Sequence, residues 1–543
     1  MSRPLILSLL SVLLYILSFP KFNFHWLAWI ALVPLVCATA GLKPKRAFLI
    51  GWAAGTLAYA GLLYWIVITF RSAQQSFFLA VPCWLLLSAY LGLYWGAWTA
   101  WTAGKTGTSR LAFPFFAAAA WATLEYIRTY LFSGFPWTLL GDSQWRHLPL
   151  IQMASITGVY GVSFLVVLVN AAVAFFINRD VTPAKAGVQG RQRHWIPARQ
   201  TAVGPSAGVV WRTASAGMTA LILLGCYGFG VYRLRIFSME ATAPSLKVAL
   251  LQGSIDQYQK WDSRYIQDIQ HTYEELLSET ARVNPDLIIW PETSVPGYLM
   301  EDPDLTNWLR GVIQRTGTHH LVGAPSRAPG GRAYNTAFSL SPRGETLGLY
   351  AKQHLVPFGE VVPLSRLLGR WIRVLNDLGG FAAGERSPVL PSSIGPIAVN
   401  ICYEAIFPDL VRRGVRQGAG VIVNLTNDGW YMRTAAPHQH FIPNVFRAVE
   451  NGRWVLRANN TGITGLINPA GRVVSASPVF VRDVVTGTVS PRSDLTFYTR
   501  HGDVFAWASL LFCILISLRG ILRRRETGYS FRSRPPQGTP RQS

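Results

Sequence analysis

Residues 396–404 read PIAVNICYE. The run Pro396–Cys402 is short, apolar and rich in strand formers, and it ends on a thiol followed by Tyr403 and Glu404. Such runs, bounded by Gly, Pro or polar residues, suit buried strands. The same pattern recurs outward in both directions, at Leu246–Gln252, Asp286–Trp290, His320–Ala324 and Val421–Leu425. Between the first two, Tyr265, Ile266, Ile269, Tyr273, Leu276 and Leu277 keep helical spacing. That predicts a helix over Asp262–Val283 with Asp262 or Ser263 as its cap. Strands alternating with helices make an α/β fold, with helices covering the sheet faces.

Three segments fall just past strand ends. One is Trp290-Pro291-Glu292-Thr293. Another is Tyr350 through Glu360 (YAKQHLVPFGE), and the third is Cys402-Tyr403-Glu404. Ligand sites of α/β sheets favour that edge. A thiol is a strong nucleophile only as thiolate. A nearby carboxylate takes its proton as general base and returns it to the leaving group. An ammonium, with a backbone N–H, stabilises the oxyanion of a tetrahedral intermediate. Cys402 is alone in this region, because Cys37, Cys83, Cys226 and Cys513 all fall in apolar runs elsewhere. Without an intradomain partner it is either an inert buried thiol or a nucleophile.

The remainder of the 543-residue chain has a different composition. Residues 237–502 carry 25 Lys+Arg and 22 Asp+Glu, so the formal charge of +23 resides mostly outside them. Half of all residues are apolar and only 14% are charged, which excludes a disordered chain and fits a plain soluble enzyme poorly. A nucleic-acid reading would need a basic face on the folded domain, so no nucleic-acid partner is expected. Apolar runs occur at about 5–20, 26–42, 48–70, 78–104, 111–133, 150–177, 217–234 and 503–520. Alternate connections carry nineteen Lys+Arg on one side and three, Lys21, Arg71 and Arg146, on the other. The positive-inside bias then predicts eight spans, with both termini cytoplasmic and 237–502 outside the cytoplasm. Residues 1–20 read as a retained helix rather than a signal peptide, since no small-residue cleavage site follows.

The expected organisation is therefore seven transmembrane helices in 1–236, a catalytic domain over 237–502, an eighth helix over 503–522 and a basic cytoplasmic tail over 523–543. Within the first part, 179–216 reads as a flexible basic cytoplasmic loop. Glu125 and Arg128, one turn apart in an apolar run, are either a membrane-embedded pair or an interfacial one. His438 and His440 lack a third ligand at a suitable spacing, so no metal and no cofactor are expected.

The order and contexts of Glu292, Lys352 and Cys402 resemble the nitrilase superfamily, with its Glu–Lys–Cys triad. With eight predicted spans around the domain, the chain resembles the apolipoprotein N-acyltransferase family of Gram-negative bacteria over nearly its full length. The motifs that carry the resemblance are Gln252-Gly253 with Lys260-Trp261, WPET, KQHLVPFGE, ICYE, Thr426-Asn427-Asp428, Gln439-His440-Phe441, Asn459 through Thr464, and Gly134-Phe135-Pro136-Trp137. Gly429 and Tyr431 stand where the family has bulkier residues.

The resemblance implies a four-layer α-β-β-α sandwich. It implies Glu292 as general base, Lys352 as oxyanion stabiliser and Cys402 as nucleophile. Glu360, Tyr403 and Glu404 would support them, and Trp261 would lie on a mobile loop at the lipid entrance. It implies a monomer in the bacterial inner membrane, with a periplasmic catalytic domain. The acyl donor would be a membrane phospholipid cleaved at sn-1, and the acceptor the N-terminal amine of a diacylglyceryl lipoprotein. A membrane-tethered amidase acting on a small C–N substrate is the alternative that the same triad would serve.

Overall fold

The computed structural model describes residues 2–103, 112–177, 205–239, 245–357, 359–361, 380–386 and 388–530. Two six-stranded sheets form the domain after residue 245. The first has strand order β12-β1-β2-β3-β4-β5, with β1 Leu246–Gln252, β2 Leu287–Ile289, β3 His319–Arg327, β4 Ala333–Leu340, β5 Thr346–Ala351 and β12 Asp483–Val489. The second runs β11-β10-β9-β8-β7-β6, with β6 Val389–Leu390, β7 Ile397–Ile401, β8 Val421–Thr426, β9 Trp454–Asn459, β10 Gly465–Ile467 and β11 Val473–Ala476. In each sheet three strands are parallel, β1-β2-β3 and β7-β8-β9, and the outer ones pair antiparallel.

Alternation along the strands builds the layers. Val248 and Leu250 of β1 meet Ile397, Val399 and Ile401 of β7 and Val421, Val423 and Leu425 of β8 in a core between the sheets. The intervening Ala249 and Leu251 turn outward onto the helices Ile266–Thr280 and Pro303–Thr316. On the other sheet, Ala398 and Ile422 turn outward onto the helices Pro408–Arg416 and Ala436–Asn451. This is the expected four-layer α-β-β-α sandwich. All five anticipated strands are present within a few residues. The anticipated helix starts later, at Ile266. Asp262 caps a preceding 3-10 turn, Ser263–Tyr265, by accepting from Arg264 N.

The N-terminal half is helical. Among the described residues, three helices, Phe77–Ala103, Val159–Ile177 and Thr213–Phe237, are long and apolar enough to cross a membrane. A fourth span exists if Pro44–Leu62 and Trp65–Ser72, bent by 47°, count as one. Of the other expected spans, 111–133 is an unbroken 19-residue helix, Ala112–Tyr130, that is less apolar, and the rest are shorter or broken. The 26–42 run is a 3-10 turn, His25–Trp29, and a short helix, Val33–Thr39. The 150–177 run is interrupted at Gly158, whose φ is +66° and whose Cβ would meet the Tyr498 ring at 2.7 Å.

Residues 178–204, most of the expected 179–216 loop, lie outside the described residues. The helix carrying the next span begins at Pro205, inside that predicted loop, with proline in the first turn, where its missing N–H costs nothing. The last helix likewise runs Val504–Ser530, into the predicted tail, of which 531–543 are outside the described residues.

Glu125 and Arg128 are both buried, but their charged ends go to different partners. Glu125 accepts from Trp121 Nε1 (2.9 Å) and Leu140 N (2.7 Å), while Arg128 donates to the Tyr59 hydroxyl and to Trp137 O.

One buried ion pair joins the two halves. Arg447 donates through Nε (2.6 Å) and Nη2 (2.8 Å) to both oxygens of Glu450. Arg447 Nη1 also reaches the carbonyls of Ala405 and Ile406, in the turn that begins with Cys402. Glu450 in turn accepts from Val159 N (3.0 Å), at the N-terminus of Val159–Ile177, where a carboxylate also complements the helix dipole. Removing one partner of a buried pair strands the other charge, at a cost of about 3–5 kcal/mol. Glu450→Gln is therefore expected to lower the thermal midpoint in detergent markedly, whereas Arg482→Gln, at an exposed pair, shifts it little. Equal midpoints for the two variants would show that the Arg447–Glu450 pair does not couple the halves.

Candidate active site

The strand directions bring three chain ends together. Glu292 follows β2 and Cys402 follows β7, each at the C-terminal end of a parallel strand. β5 runs antiparallel to β4, which is antiparallel to β3, so Lys352 leaves β5 at the same edge as Glu292. Gly323 on β3 lets the chain after β2 pass closely. A Cβ there would lie 2.3 Å from Pro291 O and 2.9 Å from Glu292 Cα.

Cys402 has φ +54°, a left-handed backbone that a non-glycine residue adopts only when its surroundings enforce it. The enforcement comes from Glu404, two residues on in the 3-10 turn Cys402–Ile406. Glu404 Oε2 accepts from Ile401 N (2.6 Å) and the Tyr350 hydroxyl (2.8 Å). Its Oε1 accepts from Gln353 N (2.6 Å) and His354 N (3.0 Å). The fully buried carboxylate thus clamps the cysteine turn to the residues beside Lys352. Tyr403 donates to Gly134 O (3.2 Å) and packs against Phe135, His354 and Phe407, fixing the turn to the helical part.

Glu292, Lys352 and Glu360 form one charged group. Lys352 Nζ lies 3.5 Å from Glu292 Oε1 and 2.8 Å from the Glu360 carboxylate. Asn335 Nδ2 on β4 bridges both acids, at 2.7 Å to Glu292 and 3.2 Å to Glu360. Val356 N donates to Glu360 (2.9 Å), closing the loop over the lysine. Burial pulls the Lys352 ammonium down, but Glu360 and then Glu292 outweigh it and hold it well above the usual lysine range. Burial, followed by the charge of Glu292, pushes the Cys402 thiol well up, against the pull of Lys352. Cys402 is therefore held as the thiol rather than the thiolate.

Trp261 is not drawn to this group. It is half exposed and lines an outer cleft with Ile266, Pro296, Tyr298, Pro325 and Phe381.

Several residues take parts at the site that the sequence reading did not assign to them. Asn335 is one, although an Asn inside a strand signals a polar duty, being depleted there. Lys260, next to Trp261, is buried and donates to Glu292 O at 2.8 Å. Behind Cys402, Asp428 binds Arg457 Nη2 (3.0 Å), His440 Nδ1 (2.7 Å) and Asn459 Nδ2 (2.6 Å), all fully buried. Burial raises the Asp428 carboxyl, but His440 and Arg457 overcome it and leave it below the ordinary aspartate range. Arg457 also reaches Asn424, whose Nδ2 donates to Cys402 O. Among the described residues no group of three His, Cys, Asp or Glu is arranged to hold a metal ion.

On the membrane-helix side the site is apolar. Tyr403, Ile406, Phe407 and Ala436 belong to the same buried cluster as Trp65, Trp95 and Trp137. Trp137 stacks on His440 (5.3 Å), and Tyr431 meets Trp65 edge-on (5.0 Å).

Residues 11–172 match a family model described as the apolipoprotein N-acyltransferase N-terminal domain, and residues 247–494 match the carbon-nitrogen hydrolase model. The apolipoprotein N-acyltransferase of Geobacter metallireducens is 38% identical over 96% of this chain and 96% of its own. That of Methylococcus capsulatus is 32% identical over 98% of each. Among solved structures, Saccharomyces cerevisiae Nit3 of the nitrilase superfamily overlays 46% of this chain and 90% of its own, at 19% identity and a TM-score of 0.36. With relatives above 30% identity along nearly its whole length and both family domains in order, the chain belongs to the apolipoprotein N-acyltransferase family.

Proposed function

We propose that this chain moves an acyl group from the sn-1 position of a membrane phospholipid to the N-terminal amine of a diacylglyceryl lipoprotein, through a thioester on Cys402. The observation that carries this reading is the junction at Cys402. A Glu–Lys–Cys group of nitrilase type meets an apolar, aromatic cluster continuous with the helical half. Glu292 takes the thiol proton as Cys402 Sγ attacks the ester carbonyl, and the Lys352 ammonium stabilises the oxyanion. The intermediate collapses, and the proton on Glu292 passes to the leaving lysophospholipid oxygen. The lipoprotein amine then attacks the thioester, loses a proton to Glu292, and the thiol is restored as the amide forms.

The reading has the chain as a monomer in the bacterial inner membrane with eight spans, both termini cytoplasmic and 237–502 periplasmic. The charge asymmetry of the connections supports this topology. Glu360 and Glu404 act as positioning residues, since their carboxylate oxygens are taken up by Lys352, Asn335 and backbone N–H groups. Trp261, exposed on the outer cleft, meets incoming lipid.

Intact mass of the full chain in detergent, incubated with phospholipid, tests the reading. A gain of one acyl group is expected. Hydroxylamine or a diacylglyceryl peptide removes it, and Cys402→Ala lacks it. No adduct, with hydrolysis of a small amide instead, would replace acyl transfer by amidase chemistry.

Gly323→Ala tests the placement of Glu292. Its Cβ must displace the chain at Pro291–Thr293, and a shift of about 1 Å costs on the order of 100-fold in rate. Acylation is expected to fall by that order while the thermal midpoint changes modestly. Unchanged acylation would mean that the close approach does not set the position of the base.

A further inference from the structure

Lys260 is a buried ammonium that the scheme above leaves without a task. Its Nζ donates to the backbone carbonyl of Glu292 at 2.8 Å, and only 2% of the residue is exposed. A lysine is almost never this buried without a compensating charge. Its segment is anchored at three points. Gln257 accepts from Asn427 Nδ2 (2.6 Å), the Tyr258 hydroxyl reaches Ser72 O at the end of a membrane-side helix, and Lys260 reaches Glu292. The next residue, Trp261, is 52% exposed.

We propose that Lys260 is a positioning residue for the base. Its ammonium fixes the chain end that bears Glu292, balances the charge of the site as the thiol ionises, and ties both to the segment that carries Trp261. The assignment rests on the acyl-transfer reading.

The charge count gives the reason for an ammonium rather than a neutral donor. With the thiol intact, Glu292 and Glu360 carry two negative charges, and Lys352 and Lys260 two positive ones. Passing the Cys402 proton to Glu292 moves charge within the group and leaves the sum at zero. If Lys260 is neutral, the same step takes place in a buried group of net charge −1. A thiolate and the following oxyanion are then less favourable in a low dielectric.

Burial depresses the Lys260 ammonium to about 7, against the pull of Glu292 and Cys402. Lys352 and Glu360 stand behind those two. On its own segment Asp256 offers its backbone carbonyl to Lys260 N, and Asp262 is taken up by Arg264. The lysine is therefore charged below about pH 7 and neutral above it. Acylation is expected to lose support as pH rises through that value.

The test is the rate of acyl-enzyme formation, read by intact mass on the full chain in phospholipid–detergent micelles between pH 5.5 and 9.5. The enzyme with Lys260 is compared with Lys260→Arg and Lys260→Met. At pH 6, Lys260→Met is expected to acylate about tenfold more slowly or worse, a loss of about 1.4 kcal/mol in barrier, at an unchanged half-saturating phospholipid concentration. Lys260→Arg keeps its charge throughout, so it retains most of the rate at pH 6 and lacks the fall above pH 7. Lys260→Met is slow and flat across that range. A Lys260→Met profile superimposed on that of the enzyme with Lys260 would overturn the assignment, as would an alkaline fall retained in Lys260→Arg. No adduct in the enzyme with Lys260 would sink the acyl-transfer reading itself and the assignment with it.

Discussion

The carboxylate of Glu404 is the interaction on which the site depends. Its four acceptor contacts join β7, which bears Cys402, to β5, which bears Lys352, across the gap between two separate sheets. Without it, the left-handed backbone of Cys402 would relax toward ordinary geometry, because a strained φ persists only where the surroundings over-determine it. A carboxylate suits the place since it only accepts, and the converging groups, three backbone N–H and one hydroxyl, donate. Burial raises the Glu404 carboxyl, and the N–H groups of Ile401 and His354 pull it back. The fold therefore commits a buried acid to geometry.

A second constraint is the seam between the sandwich and the helical half. In a free-standing sandwich of this kind, the outer helix layer would face water. Here the helix Ala436–Asn451 is buried along nearly its whole length. Gln439 Oε1 accepts from both Trp65 and Trp137, and its Nε2 donates to Pro20 O and Leu62 O. Arg447 and Glu450, two and three turns further along the same helix, hold the cysteine turn and Val159 N. One helix thus fixes the Cys402 turn relative to the helical half. The pair is expensive to bury, so its value lies in fixing that geometry rather than in added stability.

Much of this was legible in the sequence. The central strands β1, β2, β3, β7 and β8 read as apolar runs because both of their faces are covered. Two of the site segments could be found because Glu292 and Cys402 sit at the ends of such runs, whereas Lys352 follows β5 and stood out only by its own motif. Strands β4–β6 and β9–β12 were not legible. Most mix polar residues into the strand, and in β4 and β9 those residues, Asn335 and Arg457, do the work of the site. Their partners lie tens of residues away, as with Asn335 and Glu292, so no local spacing announces them. Lys260 could be seen in a motif, but a surface lysine and a buried one look alike until the chain is folded. The helical half was harder still, since Gly158 and the bend after Leu62 break runs that hydropathy alone reads as continuous.

The remaining step concerns water. Nitrilase chemistry hydrolyses its thioester by default, so an acyltransferase must make an amine a better acceptor than water. Nothing in the Glu–Lys–Cys group itself distinguishes the two. The distinction has to come from access, and here the geometry is informative. The helix-side wall of the cysteine turn includes Tyr403, Phe407, Phe135 and Trp137, whose rings form a connected series. Their few polar atoms are already occupied, as with Tyr403 on Gly134 O and Trp137 on Gln439. An aromatic wall of this kind offers water few partners, whereas an acyl chain would fit it. On the proposed acyl-transfer route, an amine held on a lipid anchor would compete with water at a high effective concentration even where water is abundant outside.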